Sequence, residues 1–272
     1  MTEASIDTLV IDLDGVLWRG MEPVPGASDA LKDLIAAGLN VRFLTNNGQR
    51  TRESVLEKFI AVGMPEAPVE TIYTSAYLTA RYVKENLPDA RTAFVIGCEG
   101  IREELKLIGV KLVEMEAERA DLVVTSLDKS FTYEKLCAAQ RLIGGGARFM
   151  ATNADASFPA EGGQLHPGAG TMAAAVATAV GFSPLTIGKP NTICLETIFN
   201  IEGITTPEGV LVVGDRLNSD ILLGRKVGCL TALVLTGIST AQEADELATE
   251  HRPHWIELDF PAVARRVLAA RG

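Results

Sequence analysis

Thr8-Leu9-Val10-Ile11-Asp12-Leu13-Asp14-Gly15 is an apolar run that stops on two carboxylates one residue apart. Successive strand side chains point to opposite faces, so both acids reach one cavity only if the chain turns after Asp12. Gly15 permits such a turn. Two like charges this close resist being placed together without a cation or a retained proton. An ionised nucleophile beside a protonated acid is a pair suited to making and breaking a bond.

The same strand-like signature recurs along the chain. Apolar runs at 8–11, 41–44, 93–96, 122–125, 148–151, 210–213 and 232–235 alternate with amphipathic stretches. Those stretches lie at 27–37, 52–62, 77–85, 100–107, 133–142, 168–180 and 217–227. Strand and helix alternating in this way imply an α/β fold, a parallel sheet with helices on both faces. Breaks at Leu87-Pro88-Asp89 and Gly181-Phe182-Ser183-Pro184 bracket a stretch long enough to be a small domain. The expected organisation is a core of 1–88 and 185–272, interrupted by an inserted α/β domain at 89–184. Gly97-Cys98-Glu99-Gly100 follows a strand but lacks G-x-G-x-x-G, so it reads as a plain strand-to-helix turn and not a dinucleotide site. Gly144-Gly145-Gly146 reads as a tight helix-to-strand link.

Composition narrows the function. A net charge of −10 across 272 residues, with no local basic patch, disfavours nucleic acid and anionic membranes as partners. Arg265, Arg266 and Arg271 read as the solvated face of a C-terminal helix. Cys98, Cys137, Cys194 and Cys229 form no C-x-x-C pair and sit in apolar stretches, so they read as reduced core cysteines of a cytoplasmic protein. Residues 1–5 carry no export signal, and the longest apolar run, 172–182, falls short of a membrane span.

In open α/β sheets ligands bind outside the carboxyl ends of the strands, so polar residues at other strand ends should converge on the Asp pair. Thr45-Asn46-Asn47-Gly48 offers a hydroxyl and an amide before a helix, suited to an anion and equally to an ordinary polar turn. Ile187-Gly188-Lys189-Pro190 places a point charge ahead of a helix that Pro190 would open. Gly214-Asp215-Arg216-Leu217-Asn218-Ser219-Asp220 adds two acids after a strongly apolar strand. Asp215 with Asp12 and Asp14 gives three hard oxygen donors, a set that favours Mg²⁺.

In order and placement these four segments resemble the motifs of the haloacid dehalogenase (HAD) superfamily. Asp14-Gly15-Val16-Leu17-Trp18-Arg19-Gly20, Thr45-Asn46-Asn47 and Gly214-Asp215-Arg216-Leu217 are similar to the branch containing NagD, 4-nitrophenyl phosphatases, phosphoglycolate phosphatase and pyridoxal phosphatase. The resemblance implies a Rossmann-like, doubly wound core with a smaller α/β cap, and a cytoplasmic phosphatase acting on small phosphate esters. It implies Asp12 as nucleophile and Asp14 as acid and base. It also implies Thr45, Asn46 and Lys189 on the phosphate, with Mg²⁺ on Asp12, Asp215 and the Asp14 main chain. Asp220 takes a supporting role. Within the cap, Asn153, Asp155 and His166 are the candidates for substrate choice, and caps of this type imply a homodimer. Three other readings stay open on the same residues. These are a phosphomutase, a catalytically idle metabolite or phosphate sensor, and a dehalogenase, which has no need of an acid at Asp14.

Overall fold

A computed structural model describes residues 6–159 and 164–271, in two compact units. One comprises Met1–Thr45, Glu53–Tyr73 and Ile198–Gly272; the other comprises Asn46–Arg52 and Thr74–Thr197. The export-signal reading at residues 1–5 lies outside the described residues.

The first unit is built on a sheet ordered Trp255–Glu257, Leu230–Val234, Val210–Gly214, Thr8–Ile11, Asn40–Thr45, Ile72–Thr74. Pairings from Trp255–Glu257 across to Asn40–Thr45 are all parallel. Thr8–Ile11 is interior, with every residue buried, which explains its unbroken apolar run. Ile11 lies level with both Val213 and Phe43. Asp12, Asp215 and Thr45 therefore leave adjacent strands at one edge of the sheet.

The helices Ala27–Ala36 and Phe260–Ala269 each bury an i, i+3, i+4, i+7 stripe: Ala27, Ala30, Leu31, Leu34 and Phe260, Val263, Ala264, Val267. These two helices pack on each other. Asp259 caps the second by accepting a hydrogen bond from the Ala262 N–H, and Pro261 suits its first turn. Leu31, Phe43, Phe59 and Val213 belong to the shared core.

The second unit carries its own five-stranded parallel sheet, ordered Leu185–Thr186, Arg148–Ala151, Leu122–Thr125, Thr92–Ile96, Lys111–Leu112. Its core includes Phe94, Val123, Leu142, Phe149 and Val176. Ser157–Pro159 and Leu165–Pro167 form an antiparallel hairpin. The helix Ala169–Val180 ends at Gly181, whose φ of 85° is the left-handed conformation that glycine adopts freely. Gly97 to Gly100 is a strand-to-helix turn, between Thr92–Ile96 and Glu99–Leu107. A side chain at Gly100 would stand 2.6 Å from the Arg50 carbonyl oxygen, so this glycine serves close packing.

Three expectations need correction. The 217–227 segment is not one α-helix: Leu217–Ile221 is a π-helical turn, closed by the Ile221 N–H on the Arg216 carbonyl, and Leu222–Val227 follows as α-helix. Pro190 does not open the next helix, which begins at Thr192; the Lys189–Pro190 peptide is cis, and the Asn191 side chain accepts from the Ile193 N–H. Of the four free cysteines, Cys194 and Cys229 are buried, Cys98 is half-buried and Cys137 is exposed. Burial pushes the Cys229 thiol up to about 12, which makes it inert. No helix among the described residues is long and apolar enough to cross a membrane.

Candidate active site

The Asp12 N–H still bonds to the Val213 carbonyl at 2.9 Å, so Asp12 is pinned to the neighbouring strand as the chain leaves the sheet. Leu13 then turns into the core, its carbonyl receiving the N–H groups of Val16 and Leu17. Gly15 completes the turn with φ at 90°. It is also needed for space, because a Cβ there would lie 2.5 Å from Asp215 Oδ2. Gly237 presses on the same carboxylate from another loop, with a Cβ position 2.0 Å from Asp215 Oδ2. The Ile238 N–H donates to Asp215 Oδ2 at 2.9 Å. Asp215 is therefore seated by backbone on both sides.

Asp220 is brought back to the strand end by the π turn. Its side chain occupies the space that a Cβ on Gly214 would need, 2.1 Å from Asp220 Cβ. Its Oδ2 accepts from the Arg216 N–H at 3.3 Å. The result is a cluster in which oxygens of Asp12, Asp215 and Asp220 all lie within 4.8 Å of one another. Asp215 and Asp220 are buried and Asp12 is half-buried. Two unit charges 4.8 Å apart repel by about 3 kcal/mol at an effective dielectric near 20, so this trio calls for a cation. Hard carboxylate oxygens, close together and fixed by backbone, fit a small divalent ion.

Asp14 departs from expectation: its carboxylate is not in the cluster. Trp18 Nε1 donates to Asp14 Oδ1 at 2.8 Å, and Lys58 Nζ reaches the same oxygen at 3.0 Å. The side chain is 47% exposed. Thr45 ends Asn40–Thr45 and is buried.

In the second unit, Lys189 is buried and its backbone is gripped by Asn46. Asn46 Oδ1 accepts from the Lys189 N–H at 2.9 Å, and Asn46 Nδ2 donates to the Lys189 carbonyl at 3.0 Å. Nδ2 also donates to the Asp155 carboxylate at 3.1 and 3.2 Å. The Asn46 amide therefore serves the protein at both ends, because its partners supply both an N–H and two kinds of acceptor. Asn153 is likewise internal: its Nδ2 donates to the Asn46 carbonyl at 2.7 Å and its Oδ1 accepts from the Asp155 N–H at 3.1 Å. His166 is exposed on the hairpin, its ring edge-on to Phe158. Lys58, which the sequence reading passed over, carries no motif and looks like any surface lysine on a helix.

Comparisons with known proteins identify the family. Residues 9–111 match the family model of the haloacid dehalogenase-like hydrolases, and residues 186–261 match a HAD-hydrolase-like model. The chain is 37% identical to glycerol-3-phosphate phosphatase of Gallus gallus over 262 residues, 88% of this chain and 83% of that protein. Among solved structures it is similar to NagD of E. coli K-12, with a TM-score of 0.84 and 29% identity, covering 94% of this chain and 98% of NagD. It is also similar to a glycerol phosphate phosphatase of Mycobacterium tuberculosis in complex with calcium, at a TM-score of 0.85 and 32% identity, covering 94% of this chain and 74% of that one. The chain belongs to the haloacid dehalogenase-like hydrolases and is a phosphatase of their NagD-like branch.

Proposed function

We propose that the protein hydrolyses small phosphate monoesters in two steps through an aspartyl-phosphate on Asp12. The meeting of Asp12, Asp215 and Asp220 at the strand ends carries this reading. Asp12 attacks phosphorus in line and releases the alcohol; water then attacks the acyl phosphate and regenerates the carboxylate. Asp14 gives a proton to the leaving oxygen and afterwards takes one from that water. Thr45 and Lys189 hold the transferring oxygens. Asn46 acts on them through the main chain of Lys189, since its own amide is engaged.

Asp12, Asp215 and Asp220 would hold Mg²⁺, with the Asp14 main-chain carbonyl as a further donor. The ion's contribution there is to offset repulsion between a carboxylate and a phosphate dianion. The calcium complex of a relative supports a divalent site. The inserted α/β stretch that includes 89–184 serves as a cap, with Asp155 and His166 toward the substrate's polar end. The cap pairs in a homodimer, and the free cysteines suit a cytoplasmic setting.

Phosphate release from 4-nitrophenyl phosphate, glycerol 3-phosphate, phosphoglycolate and pyridoxal phosphate, with Mg²⁺ and with EDTA, tests the proposal. Mg²⁺-dependent release is expected, and the panel ranks substrates. No release from any ester by folded protein in Mg²⁺ would turn the reading toward a mutase or a sensor.

Asn46→Ala should raise KM about tenfold with a smaller change in kcat, and should add little to Lys189→Ala in a double-mutant cycle. Full additivity would mean that Asn46 acts on the phosphate without Lys189.

A further inference from the structure

Asp14 and Lys58 come from separate segments of one unit, the turn after Thr8–Ile11 and the helix Arg52–Ala61. Both hydrogen bonds to Asp14 fall on Oδ1, from Trp18 Nε1 at 2.8 Å and Lys58 Nζ at 3.0 Å. Oδ2 meets no donor among the described residues. The Lys58 ammonium also lies over the Trp18 ring, 4.6 Å from its centroid. Trp18 is itself fixed, packed edge-on against Phe59 at 5.0 Å, and Phe59 against Phe43 at 4.8 Å. The exposures separate this from a surface ion pair: the Lys58 side chain is only 14% exposed, against 47% for Asp14. A fully solvated pair would be worth little. Here a largely buried cation on an aromatic face reaches out to hold a carboxylate that would otherwise sample several rotamers on its turn.

We infer that Lys58 is a positioning residue for Asp14, fixing Oδ1 with Trp18 so that Oδ2 is the oxygen left to exchange a proton with the leaving group and then with water. The inference rests on the acid role of Asp14 proposed above. In the first step the proton passes from Asp14 to the departing alkoxide as its bond to phosphorus breaks. In the second it passes from the attacking water back to Asp14 as the new oxygen–phosphorus bond forms. Lys58 neither donates nor accepts a proton in this scheme; it keeps the carboxyl oriented.

The test compares Lys58→Met with wild type on 4-nitrophenyl phosphate and on the best alkyl ester of the panel. 4-Nitrophenolate needs little protonation on leaving, whereas an alkoxide needs it fully. Lys58→Met should lower kcat/KM, which covers only the steps up to alcohol release, about tenfold or more on the alkyl ester and less than about threefold on 4-nitrophenyl phosphate, with inhibition by inorganic phosphate nearly unchanged. Lys58→Arg should recover most of the loss, and Lys58→Met should add nothing to Asp14→Asn. Lys58→Gln serves if the methionine variant does not fold. Equal losses of kcat/KM on both esters, weakened inhibition by inorganic phosphate, or full additivity with Asp14→Asn would overturn the inference. Asp14→Asn alone reports on the acid role: if it spares alkyl-ester turnover, that role fails; if it does not and Lys58→Met does, only the positioning role fails.

Discussion

Asp12→Asn should lower kcat by at least about 10⁴-fold on every ester while leaving the fold intact. The amide is nearly isosteric with the carboxylate, and the backbone that seats it does not depend on charge. The Asp12 N–H donates to Val213, and the following turn is closed by the Leu13 carbonyl. What changes is the reacting atom, since a neutral amide oxygen is a poor nucleophile toward phosphorus. Removing one carboxylate also relieves repulsion with Asp215 and Asp220, whose oxygens lie within 4.8 Å. The metal-free variant should therefore melt no lower than wild type. Single-turnover kinetics together with a thermal melt check both halves. Appreciable residual turnover in folded protein would remove Asp12 from the nucleophile's place.

Metal removal should have the second large effect. EDTA should abolish turnover and added Mg²⁺ should restore it. Asp215→Asn should lose about 10²–10⁴-fold in kcat/KM, because Asp215 is a fully seated hard donor, fixed by Gly15, Gly237 and the Ile238 N–H. Stability supplies a readout independent of activity. A ligand that binds only the folded state adds about 2.7 kcal/mol at one hundred times its Kd, so Mg²⁺ should raise the melting temperature of wild type. Asp215→Asn should lose that rise while its metal-free form keeps or exceeds the wild-type melting temperature. A melting temperature indifferent to Mg²⁺ in wild type, with turnover unaffected by EDTA, would contradict a metal at these carboxylates.

The sequence was most legible where one residue type serves one local need. Thr8–Ile11, Leu122–Thr125 and Arg148–Ala151 lie where the sequence places them, because an interior parallel strand buries a nearly continuous apolar run; only Arg148, at the start of the last, is exposed. The short strands Ile72–Thr74, Lys111–Leu112, Leu185–Thr186 and Trp255–Glu257 were missed: two or three residues carry no period. Asp12, Asp215 and Asp220 were readable as acids after apolar strands. How Asp220 returns to the strand end was not readable, because it depends on a π turn and on the missing side chain of Gly214.

The same limit explains Asn46 and Asp14. An amide at a strand end reads as an anion ligand until its partners are known, and Asp155 and Lys189 lie 109 and 143 residues away. Two acids one residue apart read as one cavity, yet Asp14 turns to Lys58, a lysine 44 residues along the chain on a helix with no marked apolar face. Long-range side-chain partners of this kind leave no local trace in composition or spacing.

The most direct test of the central claim is to trap the intermediate. Wild-type protein is quenched in acid during turnover of a good substrate with Mg²⁺, treated with borohydride, digested and mapped by mass. An acyl phosphate is reduced to an alcohol, so the account predicts homoserine in place of aspartate at position 12, formed only when substrate and Mg²⁺ are both present. Turnover without any such product at position 12, or with the product at another carboxylate, would contradict it.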